Sequence, residues 1–116
     1  MTYEIFVPFW GDPDQLYETV ESVRAQTDPD WRLTIIDDCY PDDSVAAHFS
    51  EERDERIVYT RNEHNVGITE NFRESVRRAS GDFVTILGCD DLLHPNYVEV
   101  VRAAARAVPH LSLIHI

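Results

Sequence analysis

The chain has 116 residues, a formal net charge of −12 and an apolar fraction of 43%. This length suits one domain with a real core, and the apolar fraction excludes a disordered chain. The negative charge argues against a nucleic-acid or anionic-membrane surface, because both would repel it. All the basic residues are arginine, which excludes a P-loop and Schiff-base chemistry, since both need a lysine.

The cysteine content and the hydropathy of the sequence indicate in which cellular compartment the protein works. Cys39 and Cys89 lack the spacing of a zinc site, and two thiols without a secretory signal favour a reducing compartment. No apolar run is long enough to span a bilayer. We therefore expect a cytoplasmic location, and peripheral attachment of the full-length protein to a membrane stays open.

Four segments have the apolar and β-branched composition of strands. They lie at 3–7, 31–36, 56–60 and 83–87. The last has no internal charge, which is typical of a strand that is buried on both faces. Helical patterns separate the four segments. The crossovers therefore predict an α/β fold with a Rossmann-like, mostly parallel sheet and flanking helices.

Caps and apolar spacing predict the first two helices. Asp12 and Pro13 open the first by N-cap and first-turn proline chemistry. Its inner face is predicted to carry Leu16, Val20 and Val23. The segment 41–44 starts a short second helix that runs to about Glu52.

The third and fourth helices are predicted in the same way. Thr69 is expected to cap the third helix, and Gly81 to follow its end. Its inner residues are predicted to be Phe72, Val76 and Ala79. Pro95 is expected to start the fourth helix. Its inner residues are predicted to be Val98, Val101, Ala104 and Ala105.

Adjacent acids follow two of the strands. Asp37 and Asp38 follow the second, and Asp90 and Asp91 follow the fourth. The carboxyl ends of parallel strands share one edge of a sheet, so both pairs are expected to face one crevice if the strands lie close together. Taken alone, each pair could equally be a turn or a helix cap.

The two acidic pairs suit different chemistry. Asp90 and Asp91 resemble a site for Mg²⁺ or Mn²⁺, which take one or two carboxylates and fill their other positions with water and substrate phosphate. Such a dication would neutralise the acidic edge and stabilise a phosphate leaving group. Asp38 could accept a hydrogen bond from a base such as uracil, while Trp10 or Phe9 offers a flat face. Core packing is the alternative for both aromatic residues.

Other polar side chains near the acids carry weaker signals. His94 follows Asp91 closely, but it is expected to be a surface or cap residue rather than a metal ligand. Cys89 directly follows the last strand and is expected to be buried and inert.

Six segments, taken in order, resemble family 2 of the nucleotide-sugar-dependent glycosyltransferases, which have the GT-A fold. They are Phe6 to Trp10, Gln26 to Trp31, Ile35 to Asp38, Asn65 to Phe72, Ala79 to Phe83, and Leu87 to Pro95. The likeness runs from the first strand through Ala107, and the shared order makes it specific.

The resemblance implies the transfer, with inversion, of a sugar from a nucleoside diphosphate sugar, most often UDP-linked, to an acceptor hydroxyl. It implies Mn²⁺ or Mg²⁺ as cofactor. The implied nucleotide-sugar-binding residues are Pro8, Trp10, Asp38, Asn71 and Asp90. Asp91 is the implied metal ligand. Cys89 stands where the usual Asp-x-Asp motif has its first acid, and only Arg73 lies near the place of an arginine that often contacts the nucleotide.

The family's catalytic base and acceptor pocket come from a carboxyl-terminal half that we expect this chain to lack. No catalytic residue is therefore named, and the acceptor, a glycan, a lipid or another molecule, stays open. We divide the chain into a truncated GT-A nucleotide-sugar-binding half-domain, 1–110, and a non-native tail, 111–116. The tail matches a translated sequencing adapter, and a natural edge strand is its alternative.

Three other functions compete with this one. A non-catalytic nucleotide-binding or interaction domain is compatible with the same residues. A GT-A-like nucleotidyltransferase would want a glycine-rich basic loop after the first strand, but the segment 8–12 has one glycine and no positive charge. A phosphoacceptor receiver domain would need a lysine, which the chain lacks.

Overall fold

The computed structural model describes residues 2–107 and the backbone of 114–115. The strands are β1 (Tyr3–Phe9), β2 (Arg32–Asp37), β3 (Ile57–Arg61), β4 (Phe83–Ile86) and β5 (Ile114–His115). The helices are α1 (Pro13–Arg24), α2 (Ser44–Ser50), α3 (Ile68–Arg78) and α4 (Tyr97–Ala107). The four predicted strands and four predicted helices are thus confirmed, with bounds that move by up to two residues.

The strands form one parallel sheet in the order β3-β2-β1-β4-β5. The pairing of β1 with β2 brings Phe9 beside Asp37, and its pairing with β4 brings Phe6 beside Ile86. The predicted α/β, Rossmann-like architecture is therefore confirmed. Because β1 lies between β2 and β4, the ends of the two acid-bearing strands flank the end of β1.

Helices cover both faces of the sheet. The odd-numbered side chains of β1, from Tyr3 to Phe9, join the larger core with residues of α1, α2 and α4. On the other face, Phe6 and Ile36 join Val84 and Ile86, with Phe72 of α3 packed against them. The period of two along β1 therefore divides its side chains between two helical layers.

Helix α1 follows the sequence prediction closely. Asp12 is its N-cap, and the Asp12 carboxylate accepts a hydrogen bond from the Asp14 N–H at 2.9 Å. Pro13 is the first helical residue. The three predicted inner residues are all buried: Leu16, Val20 and Val23.

Helix α3 differs from its prediction at both ends and on its inner face. Gly67, with a φ of 92°, is the N-cap in place of Thr69. The helix ends at Arg78, before Gly81. Val76 is exposed, and the buried side chains are Asn71 and Ser75. These two polar residues can be buried because both make hydrogen bonds, Asn71 to the Ile36 carbonyl and Ser75 to the Asn71 carbonyl.

Helix α4 begins at Tyr97, two residues after the predicted Pro95. Val98 and Ala105 are buried as predicted, and Val101 is half-buried. The prediction for Ala104 was wrong, since this residue is exposed. The sequence pattern also missed Arg102, which is buried and pairs with the Asp28 carboxylate at 3.0 Å.

The predicted tail, 111–116, lies largely outside the described residues. Of this segment, only the backbone of β5 is described, and it pairs with β4 in parallel. The origin of the segment and the domain division at residue 110 stay predictions. Within the described part of the chain, no helix combines the length and hydropathy that crossing a membrane requires.

Glu4 fixes the entry into β4. Its side chain points to the α3 side of the sheet, and the residue is 8% exposed. Its carboxylate accepts hydrogen bonds from the Ser80 N–H at 2.7 Å and from the Gly81 N–H. A Cβ on Gly81 would lie 3.0 Å from the Glu4 side chain, so a larger residue there would have to displace the Glu4 carboxylate slightly.

We expect Glu4→Ala to lower the free energy of unfolding by about 2 kcal/mol, because it leaves two backbone N–H groups without a charged acceptor. Urea denaturation followed by circular dichroism measures this loss. Glu18→Ala, which removes an exposed acid on α1, is the control and should change the free energy of unfolding by less than about 0.5 kcal/mol. Equal midpoints for both variants would contradict the anchoring role.

Candidate functional site

A cleft of about 360 Å³ opens where the carboxyl ends of β1 and β4 meet the start of α3. This volume lies in the range of about 300–1,000 Å³ that is typical of small-molecule sites. The cleft is lined by all five residues that the sequence nominated for nucleotide-sugar binding: Pro8, Trp10, Asp38, Asn71 and Asp90. The fold therefore brings together side chains from four separate segments of the chain.

Aromatic and aliphatic side chains form two walls of the cleft. Trp10 is 48% exposed, and its ring meets the Tyr40 ring edge-on at 5.8 Å between centroids. Phe9, the other aromatic candidate for stacking, is fully buried in the core. Trp10 is thus the better placed of the two to offer a free face. Ile68, in the first turn of α3, also lines the cleft and is 84% exposed.

Asp38 has a structural task that the sequence did not reveal. It is 1% exposed. One carboxylate oxygen accepts from the Val66 N–H at 2.8 Å and from the Asn62 amide at 3.0 Å. The other accepts from the Gly67 N–H at 2.9 Å. Asp38 therefore ties the end of β2 to the loop that opens α3. Its predicted contact with a base stays a prediction, and Oδ2 keeps one free lone pair for it.

Asn71 completes the same network from α3. Its amide nitrogen donates to the Ile36 carbonyl at 2.8 Å, and its amide oxygen accepts from the Asn62 side chain at 3.1 Å. Asn62 thus bridges two residues of the cleft, and sequence reasoning missed it. An available signal was its position directly after β3, at the edge where the acids also lie.

Asp37 does not line the cleft. Its carboxylate accepts hydrogen bonds from the Tyr40 N–H at 2.9 Å and from the Tyr59 hydroxyl. Burial, together with this hydrogen bond to Asp37, raises the pKa of Tyr59. The first acid of the pair is therefore part of the structural frame. The expectation that both members face the crevice is wrong for Asp37.

Asp90 and Asp91 sit in a tight turn after β4, in which the Asp91 N–H donates to the Gly88 carbonyl at 3.0 Å. Both acids are exposed. A Cβ on Gly88 would lie 2.6 Å from the Asp91 Oδ2 and 3.2 Å from the Asp90 Oδ1. One oxygen of each carboxylate therefore lies close to Gly88, on the side where another residue would carry its Cβ.

The donor set fits a hard divalent cation. Neither carboxylate of the turn makes an ion pair or a hydrogen bond with the described part of the chain. Across residues 2–107, no group of three or more acid, histidine or cysteine side chains comes together as a metal site. Two carboxylates are enough for Mg²⁺ or Mn²⁺, which keep water and substrate phosphate as further ligands. Asp91 lies outside the lining of the cleft, whereas Asp90 belongs to it.

The remaining candidate residues are the two cysteines, His94 and Arg73. Cys89 is half-buried, and burial raises the pKa of its thiol, which fits the predicted lack of reactivity. Cys39, directly after Asp38, has a φ of 61°, a left-handed conformation that favours glycine. His94 is exposed and pairs with Asn96. Arg73 pairs with Glu70 and does not line the cleft.

Comparison with known sequences places the chain in a family. The family model described as Glycosyl transferase family 2 matches residues 4–113. This chain belongs to glycosyltransferase family 2. The resemblance seen in the sequence is thereby confirmed.

Several curated relatives of the chain are glycosyltransferases or polysaccharide biosynthesis proteins. It is 28% identical to the glycosyltransferase GlyA of Streptococcus pneumoniae over 84% of its length, and 30% identical to the O-antigen biosynthesis protein RfbC of Myxococcus xanthus over 86%. The chain spans 14% of GlyA and 8% of RfbC. It also spans 36% and 35% of relatives from Escherichia coli and Bacillus subtilis.

Among solved structures, the chain resembles TarS of Staphylococcus aureus, with a TM-score of 0.80 over 92% of this chain and 33% of that one. The sequence identity is 19%, so the likeness concerns the fold alone. TarS has been solved with UDP and with UDP-GlcNAc. The fold of TarS thus accommodates a nucleotide sugar.

We expect Asp38→Asn to lower the free energy of unfolding by about 2–3 kcal/mol, because an amide nitrogen would face N–H donors that now share a charged acceptor. Chemical denaturation measures the change. Asp14→Asn removes an exposed acid in the first turn of α1 and should cost less than about 1 kcal/mol. An Asp38 variant as stable as this control would show that the network does not support the cleft.

Proposed function

We propose that this chain is the donor-binding half of an inverting, metal-dependent glycosyltransferase. Its donor would be a nucleoside diphosphate sugar, UDP-linked, and its acceptor a hydroxyl group of a glycan, a lipid or another molecule. One observation carries the metal dependence. The described lining of the cleft holds two carboxylates, Asp38 and Asp90, and no arginine or histidine.

This charge balance decides how a diphosphate could bind. Two unit charges 4 Å apart interact by about 4 kcal/mol at the effective dielectric constant of a protein surface. A diphosphate beside Asp90 and Asp91 would be repelled by an energy of this order. A divalent cation held by these two carboxylates reverses the sign, and when bound it supplies stabilisation of the negative charge on the diphosphate leaving group.

We assign the base, the ribose or sugar, and the metal to different residues in and beside the cleft. The exposed ring of Trp10 suits a nucleobase, and the exposed side chain of Ile68, which also lines the cleft, would help to exclude water from it. Asp38 and Asn71 lie at the inner end of the cleft, where their remaining hydrogen-bonding capacity could recognise the edge of the base. Pro8, another lining residue, would contact the base. Asp90 would contact the ribose or sugar, and Asp91 would bind the metal.

Inverting transfer needs one more group. An acceptor hydroxyl attacks the anomeric carbon opposite the departing diphosphate, and a general base takes the hydroxyl proton. We assign this base and the acceptor pocket to the part of the full-length protein that the chain does not cover, since the chain spans about a third or less of its relatives named above. We further propose a cytoplasmic location for this donor site.

UDP is expected to bind the 116-residue chain in a manner that depends on Mn²⁺. Asp91→Asn should weaken this binding at least about 10-fold, because it removes a charged oxygen ligand. Isothermal titration calorimetry with and without Mn²⁺ measures the effect. Asp82→Asn, at an exposed acid before β4, is the matched control. Equal affinity with and without the metal would contradict the metal role.

Trp10→Ala should weaken UDP binding by about 1–3 kcal/mol, the range found for the stacking of a base on an aromatic ring. Trp10→Phe keeps a ring face and should retain most of the affinity. Fluorescence or calorimetric titration with UDP and, in parallel, with pyrophosphate separates the contributions. A loss that is equal for both ligands would argue against a stacked base.

A further inference from the structure

Three polar side chains on one side of α1 and its end face the segment that follows β4. They are Thr19, Ser22 and Gln26, and we call them the polar row. Thr19 is fully buried and Gln26 is 7% exposed. The apolar inner residues of α1 fill the core beside them. A buried hydroxyl in such surroundings requires a partner.

The polar row makes its hydrogen bonds to the backbone of the acid-bearing segment. The Thr19 hydroxyl lies 3.0 Å from the Cys89 carbonyl and 2.6 Å from the Asp91 carbonyl, and it donates to this pair of acceptors. The Ser22 hydroxyl donates to the Thr19 carbonyl and accepts from the Leu93 N–H at 3.0 Å.

Gln26 extends the row past the end of the helix. Its amide nitrogen donates to the His94 carbonyl at 2.7 Å, and its amide oxygen accepts from the Val98 N–H at 3.1 Å. Gln26 belongs to one of the segments that resemble the family, yet it does not line the cleft. Through these hydrogen bonds, Gln26 binds the backbone between the two acids and α4.

The Thr19 hydrogen bonds restrain the backbone that carries the Asp90 and Asp91 carboxylates. Residues 88–94 form neither helix nor strand, so no ladder of backbone hydrogen bonds holds their conformation. The two carbonyls that Thr19 binds lie on either side of Asp90 in the chain. Holding both carbonyls limits rotation of the backbone that aims Asp90 and Asp91 over Gly88.

We propose that Thr19, supported by Ser22 and Gln26, is a positioning residue that holds the Asp90 and Asp91 carboxylates in the geometry that a divalent cation requires. The inference rests on the metal site of the proposed function. Loss of a group that supports a metal ligand typically weakens metal affinity by about 10–100-fold. A purely structural role, in which α1 only packs the segment onto the sheet, would change stability but not the affinity for the cation.

The test uses the 116-residue chain and Mn²⁺ alone, with free Mn²⁺ followed by electron paramagnetic resonance. Thr19→Val removes the hydroxyl and keeps the shape, and Thr19→Ser restores the hydroxyl. Thr85→Val is the matched control, because the buried Thr85 hydroxyl bonds to the Tyr3 hydroxyl at 2.7 Å and not to the turn. Thermal unfolding of each variant records the stability that each hydroxyl contributes.

We expect Thr19→Val to bind Mn²⁺ about 10-fold more weakly, with Thr19→Ser and Thr85→Val close to the wild-type chain. Hydrogen exchange at residues 89–93 should be faster in Thr19→Val than in Thr85→Val at matched stability. A folded Thr19→Val variant with wild-type Mn²⁺ affinity would overturn the positioning role.

Two further results bear on the proposal: a Thr19→Val variant that does not fold, and a wild-type chain that binds no Mn²⁺. If Thr19→Val does not fold, Ser22→Ala replaces it, since this change removes only the acceptor for the Leu93 N–H and the donor to the Thr19 carbonyl. Weaker Mn²⁺ binding by this variant supports the proposal, and unchanged binding overturns it. If the wild-type chain binds no Mn²⁺, the proposed metal site fails and the positioning role fails with it. If the wild-type chain binds Mn²⁺ and only the positioning role of Thr19 is overturned, the proposed function still stands.

Discussion

The position of β1 between β2 and β4 is the constraint on which the candidate site depends. Parallel pairing on both sides of β1 aligns the carboxyl ends of three strands that are far apart in the sequence. Pro8 and Trp10 then lie between Asp38 on one side and Asp90 on the other. A different order of the same strands would leave the two acids at separate places on the edge, and no cleft would contain both.

Once they share this edge, four acids that look alike in the sequence differ through their surroundings. The Asp37 carboxylate accepts hydrogen bonds from the Tyr59 hydroxyl and the Tyr40 N–H. The Asp38 carboxylate accepts hydrogen bonds from backbone N–H groups of the loop before α3. Their carboxylates serve as acceptors for groups that would otherwise be buried without partners. Asp90 and Asp91 have no such partners among the described residues. Of the four, these last two therefore have the greatest capacity to bind a cation.

The sequence predicted the strands and the fold class because these depend on local signals, whereas the full set of proposed nucleotide-sugar-binding residues came from the family resemblance. An apolar run such as Phe83 to Leu87 identifies a buried strand by composition alone, and the order of strands and helices fixes the crossovers. The inner faces of α3 and α4 were harder to predict. Asn71 and Arg102 are buried because distant groups satisfy them, the Ile36 carbonyl and the Asp28 carboxylate. No local pattern of apolar residues contains this information.

The link between α1 and the acidic turn has a consequence for folding. Thr19 and Asp91 are separated by 72 residues in the sequence, and their contact is part of a fold in which β4 pairs with β1. The turn has no regular structure of its own, so its geometry depends on a nearly complete sheet. A ligand that binds only this geometry stabilises the folded chain by RT ln(1 + [L]/Kd). Binding at Asp90 and Asp91 is therefore coupled to the stability of the whole sheet, although the contact itself involves a short exposed turn.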